Sequence, residues 1–87
     1  MVVKGTVKNP DGTVAANVCV SQTTSTSGCV YFSRADGTYS FTVSGRINQT
    51  FTLYYMRMDG TTLYKAQTSF IVKGTTVDIP TIKLAKA

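Results

Sequence analysis

The chain has 87 residues, and nine Lys and Arg against four Asp give it a formal net charge of +5. A chain of this length forms one domain, residues 1–87, with a thin core and no room for a separate cofactor-binding unit. It contains no His, Glu or Trp, so the commonest metal sites and general bases are excluded and no cofactor, metal or enzyme activity is expected. Fifteen Thr and ten Val, with Tyr, Phe and Ile, favour an all-β protein.

Turn-forming residues divide the chain into short segments of alternating polarity. Alternation predicts strands at 2–8, 16–23, 29–34, 38–44, 50–58, 62–72 and 76–84. Seven short strands separated by regular turns are typical of a seven-stranded antiparallel Greek-key β-sandwich of the Ig-like or prealbumin-like kind. We expect that fold.

The turns themselves follow from Gly, Pro, Asn and Asp. Asn9-Pro10-Asp11-Gly12 predicts a turn after the first strand, because Pro fixes φ and Gly accepts a positive φ. Asp36-Gly37 and Asp59-Gly60 are pairs that suit tight hairpin connections. Pro80 interrupts the last strand and predicts a bulge or an edge position there.

Alternation also assigns the faces of the strands. Val3 and Val7 of the first strand are expected to point into the core. In the third strand, Val30 and Phe32 are expected to point inward, and Tyr31 outward.

Cys19 and Cys29 are the only cysteines, and both fall on outward positions of consecutive strands. An even count in a small β domain predicts one disulfide and an oxidising final environment. Two cysteines without His cannot complete a four-ligand metal site. A pair of reduced thiols is the alternative.

Several segments resemble the carboxypeptidase regulatory-like domain, a member of the prealbumin-like group of small β-sandwiches. The motifs are Gly5-Thr6-Val7, Asn9-Pro10-Asp11-Gly12-Thr13-Val14, Ala16-Asn17-Val18-Cys19-Val20 and Ala35-Asp36-Gly37-Thr38-Tyr39-Ser40-Phe41. They span about 40 residues of the chain, although Val14 stands where the family often has Pro. The resemblance implies a sandwich architecture without an active site, as in the non-catalytic appendages of secreted peptidases, transporters and surface proteins.

One stretch concentrates residue types that are enriched at protein interfaces. The predicted interface residues are Tyr54, Met56, Arg57, Met58 and Leu63, with Tyr31 next in order. The alternative is a second sheet face that loops partly cover. Both interpretations remain open at this point.

Three other signals are weaker. The basic residues are spread singly along the chain, so a solvated surface is favoured and no nucleic-acid partner is expected. Lys4 and Asp78 are placed for an isopeptide bond, yet there is no Glu to assist it and Lys4 should face solvent. Asn48-Gln49-Thr50 matches a glycosylation acceptor, although such triplets arise by chance in a Thr-rich chain.

Three classes of function remain. We expect a small decoration (cement) or surface protein that docks on a larger assembly, such as a virus capsid or a surface fibre, with capsid or surface subunits or a second copy as partner. An accessory domain of a secreted or surface protein comes next, and carbohydrate or peptide binding comes last. A strand that begins directly after Met1 suggests a complete small gene product. An extracellular or virion-surface location is expected, and no 18-residue apolar run exists for insertion into a membrane.

Overall fold

The computed structural model describes residues 1–22 and 29–87. This part of the chain is all-β and forms two packed sheets. The strands in chain order are β1 (Val2–Lys8), β2 (Cys19–Ser21), β3 (Cys29–Phe32), β4 (Thr38–Thr42), β5 (Thr50–Asp59), β6 (Thr62–Ile71), β7 (Thr76–Asp78), β8 (Ile82–Lys83) and β9 (Ala85–Lys86). Residues 1–22 and 29–87 contain no helix, and thus none long and apolar enough to cross a membrane.

The strands divide between a four-stranded and a five-stranded sheet. In the first sheet, β1 lies between β4 on one side and β7 and β8 on the other. The order in the second sheet is β3-β2-β5-β6-β9. Inward side chains of both sheets form the core, with Val3 and Val7 fully buried as predicted. The two-sheet, all-β architecture is therefore confirmed.

Seven antiparallel strands are not what the structure shows. The predicted last strand, 76–84, is divided into the two short strands β7 and β8, and both pair with β1 in parallel. Only strands joined by a tight hairpin must run antiparallel, and β1 is separated from β7 by most of the chain. The prediction at Pro80 is confirmed as a bulge, since Val3 lies opposite Val77 while Val7 lies opposite Ile82.

The face prediction for β3 is wrong. Val30 and Phe32 are exposed, whereas the Tyr31 ring packs against the core. The pairing of β2 with β3 shifts register between Val20 and Ser21, and one extra residue in a strand reverses which side chains point inward.

The Asp-Gly-Thr sequence occurs three times and forms two kinds of turn. At Asp11 and at Asp36 the carboxylate accepts hydrogen bonds from the backbone N–H and the hydroxyl of the Thr two residues later. These bonds lower the pKa of both carboxyls, with the hydroxyl bond as the largest cause. The third copy closes the β5–β6 hairpin, since Asp59 pairs with Thr62 and leaves Gly60-Thr61 as the loop.

The hairpin predicted at Asp59-Gly60 is thus confirmed, but the one at Asp36-Gly37 is only partly right. A tight turn is present, because Gly37 N donates to Arg34 O at 2.9 Å. The strands that it joins, β3 and β4, belong to different sheets. A local turn sequence specifies the reversal of the chain, not the sheet that the next strand enters.

Two buried tyrosines connect the sheets at the centre of the core. Tyr39 and Tyr55 are at most 1% exposed, and their hydroxyls are 2.6 Å apart. The Tyr39 ring lies across β1 at Gly5, its register partner, where a Cβ would come within 2.6 Å of the Tyr39 hydroxyl. Gly5 therefore provides the space that the Tyr39–Tyr55 hydrogen bond needs.

Alkaline pH should unfold the protein through this pair. Burial raises the pKa of Tyr39 and of Tyr55, and the hydrogen bond between the two hydroxyls raises the pKa of Tyr55 further. Above about pH 10 the unfolded chain loses both protons more readily than the folded chain, so stability decreases with pH, by up to about 1.4 kcal/mol per pH unit for each tyrosine. Urea unfolding between pH 8 and 12 measures this slope.

The matched variant is Tyr39→Phe with Tyr55→Phe, which removes both titrating hydroxyls and leaves neither one unpaired. Its stability should decrease less steeply with pH than that of the wild type, and the two slopes should differ by up to about 2.7 kcal/mol per pH unit. Equal slopes would show that the buried pair does not control alkaline unfolding.

Candidate functional site

The predicted interface residues lie largely on the outer face of the five-stranded sheet. Register places Met56 of β5 between Cys19 of β2 and Lys65 of β6, and it places Met58 opposite Leu63. Tyr54 lies two residues before Met56 on β5 and therefore on the same face. Side chains opposite each other or two residues apart on a strand share a face. The structure therefore brings together four of the six predicted residues.

Phe32 joins this group, although sequence reasoning assigned it to the core. It pairs with Cys19, so it lies on the same face, and it is 53% exposed. Met58 is 56% exposed, whereas Met56 is 8% exposed. We call the five apolar side chains Phe32, Tyr54, Met56, Met58 and Leu63 the apolar patch.

Two adjoining hollows shape the surface of the apolar patch. The first is lined by Ala16, Asn17, Cys19, Cys29, Phe32, Met56, Arg57, Met58 and Leu63. The second is lined by Tyr54, Met56, Leu63, Lys65, Ala66, Gln67, Ala85 and Lys86. Met56 and Leu63 border both, so the two hollows lie side by side on the outer face.

The predicted disulfide borders the first hollow. Cys19 and Cys29 are bonded to each other, with their Cα atoms 5.4 Å apart. Cys19 lies on the outer face as expected, but it is only 5% exposed. The bond links β2 to β3 beside Phe32, so it restrains the strand that carries the most exposed aromatic ring of the apolar patch.

Arg57 belongs to a different environment from its neighbours in sequence. It points to the opposite side of β5, where its guanidinium lies 4.8 Å from the centre of the Tyr64 ring. Nη2 donates to Asn9 Oδ1 at 2.8 Å, and Nη1 is 3.9 Å from Asp59 Oδ2. Its side chain is only 21% exposed. Arg57 therefore fastens the β5–β6 hairpin to the turn after β1 and contributes little to the exposed outer face.

Tyr31 also lies apart from the apolar patch. Its ring is on the inner face, stacked on Phe41 with centroids 6.2 Å apart. Next to it, the buried Ser33 hydroxyl donates to Ala15 O at 2.6 Å and accepts from Val18 N at 2.9 Å. This end of β3 stabilises the sandwich.

The weaker sequence signals are located as follows. Lys4 Nζ is 3.6 Å from Asp78 Oδ1, and both side chains are more than half exposed, so the two form a surface ion pair. Asn48 lies in an exposed turn with a φ of 69°. Within 1–22 and 29–87, no three His, Cys, Asp or Glu side chains cluster as metal ligands do. Of the Ser21–Gly28 loop that the cysteine pair is predicted to close, residues 23–28 lie outside the described ranges.

No protein-family model matches this sequence, and no curated protein matches it either.

Proposed function

We propose that the chain is a non-catalytic structural module that docks on a larger protein assembly, such as a virus capsid or a surface fibre, through its apolar patch. The observation that carries this proposal is the exposure of Phe32 and Met58, each more than half accessible, on a concave face beside a disulfide. Aromatic and Met side chains are enriched at the centres of interfaces, and Met adapts to irregular partners. A disulfide that restrains the face reduces the entropy lost on docking.

The charge around the apolar patch indicates the chemistry of the partner. Lys65 and Lys86 line the second hollow, which has no acidic residue in its lining. With a net charge of +5, the chain would be attracted to an acidic surface and repelled by a basic one. The partner surface that best complements the apolar patch is therefore an apolar protrusion surrounded by acidic side chains.

Removal of the exposed apolar side chains tests the proposal. In Phe32→Ser with Met58→Ser, two exposed side chains are shortened, so the thermal unfolding midpoint should change little. We expect the number of copies that co-sediment with particles from the producing cells or virions to decrease roughly tenfold or more, as for paired interface hot spots. Density-gradient fractions and quantitative mass spectrometry measure the occupancy.

The matched control is Ile47→Ser. Ile47 is 62% exposed and lies in the connection before β5, at the opposite end of the hairpin from Met58. This variant should co-sediment like the wild type. The proposal is wrong if the wild type sediments with no assembly, or if the double variant occupies particles as fully as Ile47→Ser does.

We also propose a relationship to the carboxypeptidase regulatory-like domains and an extracellular or virion-surface location. Two of the motifs that carry the resemblance have defined structural roles: Gly5 accommodates the Tyr39 ring, and Asp36-Gly37-Thr38 forms a hydrogen-bonded turn. The disulfide supports an oxidising environment. A non-catalytic role is consistent with that resemblance.

A further inference from the structure

One sheet edge has a long section without a neighbouring strand in the part of the chain that the structure describes. β6 pairs with β5 along its whole length, from Thr62 to Ile71. On its other side it pairs with β9, and this pairing covers only Tyr64 and Lys65. Within the described ranges, residues 66–71 thus have no strand hydrogen-bonded to them on the side of β9, although β8 lies close to β6 where the chain approaches β9.

The direction of the backbone groups follows from two hydrogen bonds at the ends of β6. Ala87 N donates to Leu63 O on the β9 side, and Val72 N donates to Gln49 O on the β5 side. Successive residues of an antiparallel strand alternate between its two sides. The N–H and C=O groups of Gln67, Ser69 and Ile71 therefore point to the side of β6 on which β9 lies.

This edge has few of the features that usually protect an edge strand. Residues 66–71 read Ala-Gln-Thr-Ser-Phe-Ile, without Pro, Gly or charge. The exposed side chains there, Gln67, Ser69 and Ile71, all lie on the outer face. The edge at β4, by contrast, is flanked by β3 through the stacked rings of Tyr31 and Phe41.

The charges at the two ends of this edge disfavour pairing with a second copy of the chain and favour pairing with an acidic strand. Lys65 and Lys73 flank it, and the sequence has no acidic residue between Asp59 and Asp78. In an antiparallel pair of two copies centred on Ser69, the strand of each copy would run towards β9 of the other and bring Lys73 of one copy towards Lys65 of the other, which is unfavourable. A strand with acidic residues at its ends would instead place one acid opposite Lys73 and the other diagonally beside Lys65.

We propose that the β6 edge at residues 66–71 binds an extended segment of an acidic partner protein. The segment would form an additional antiparallel strand beside β6, in line with β9. Backbone hydrogen bonds to Gln67, Ser69 and Ile71 hold the segment, and Lys65 and Lys73 select acidic flanks. The edge adjoins the second hollow, which Lys65 and Gln67 also line, but none of the five side chains of the apolar patch takes part in the proposed pairing.

A synthetic peptide tests the inference on the full-length protein. The probe is Asp-Val-Thr-Val-Thr-Val-Asp, whose threonines lie opposite Ser69 and Ile71 and whose last Asp lies opposite Gln67. Titration followed by amide NMR should shift the signals of Gln67, Ser69 and Ile71 and slow their hydrogen exchange. N-methylation of the two threonines should weaken binding roughly tenfold or more, since their N–H groups face β6. N-methylation of two valines, whose N–H groups face away, is the matched control and should change little.

Charge reversal at Lys65 and Lys73 tests the preference for a strand with acidic ends. Lys65→Glu with Lys73→Glu should weaken binding of the Asp-ended peptide roughly threefold to tenfold at low salt and favour a Lys-ended peptide of the same length. Arg34→Glu, a reversal at an exposed position in the turn between β3 and β4, is the control and should have little effect.

Four results would overturn the inference. Absence of binding at millimolar peptide, or equal binding of the Asp-ended and Lys-ended peptides, excludes an acidic partner strand. Signals that shift only at Phe32 and Met58 place the peptide on the apolar patch. Protection of Gln67, Ser69 and Ile71 without peptide, with a mass that doubles at high concentration, assigns the edge to a second copy.

Discussion

Gly37→Ala is expected to destabilise the protein by about 2–5 kcal/mol. Gly37 has a φ of 80°, which an L side chain adopts at a cost, and an added Cβ would lie 2.8 Å from the carbonyl oxygen of Val7. That oxygen cannot move freely, because it accepts a hydrogen bond from Ala15 N at 3.0 Å. Val7 N also donates to Gly37 O at 2.8 Å, so a shift of the turn away from β1 would break this hydrogen bond. Thermal or urea unfolding measures the loss.

Gly12→Ala is the matched control. Gly12 occupies the same position of an Asp-Gly-Thr turn, with a φ of 90°, but an added Cβ there would meet no atom within 4 Å. Its expected cost is only that of the left-handed conformation, about 1–2 kcal/mol. The difference between the two variants measures the close approach of Gly37 to β1. If both variants lose the same stability, β1 does not pack on this turn as closely as the structure shows.

Cys19→Ala with Cys29→Ala is expected to lower the free energy of unfolding by about 2–3 kcal/mol. The disulfide closes a loop with a sequence separation of 10, and its main effect is to restrict the unfolded chain. β2 is only three residues long and β3 four, so these strands have few backbone bonds to compensate. The apolar patch should become less ordered, because Phe32 lies on the strand that the disulfide restrains.

Reduction of the wild type provides the comparison for this variant. Reductant should destabilise the wild type by a similar amount and leave the double variant unchanged. Thiol titration of the unfolded, unreduced wild type should detect no free thiol. Two reactive thiols per chain would contradict the disulfide directly.

The sequence alone determined those features that depend on neighbouring residues. Residue types with β propensity and turn pairs such as Asp59-Gly60 were sufficient for an all-β chain and for the β5–β6 hairpin. Strict alternation correctly buried Val3 and Val7 and placed Tyr54 and Met56 on the outer face. Pro80 correctly marked the bulge, since proline cannot donate to the ladder.

Other features were decided by the tertiary structure. The register shift beside Val20 exposed Phe32 and buried Tyr31, and no local pattern distinguishes a bulged strand from a regular one. Arg57 lies away from the outer face of the sheet because it binds residues distant in sequence, above all Asn9. The parallel pairing of β1 with β7 and β8 depends on how the two sheets pack after the chain has crossed between them. Alternation is a local property with a period of two residues, whereas register, partner choice and strand direction are set by contacts between segments far apart in the chain.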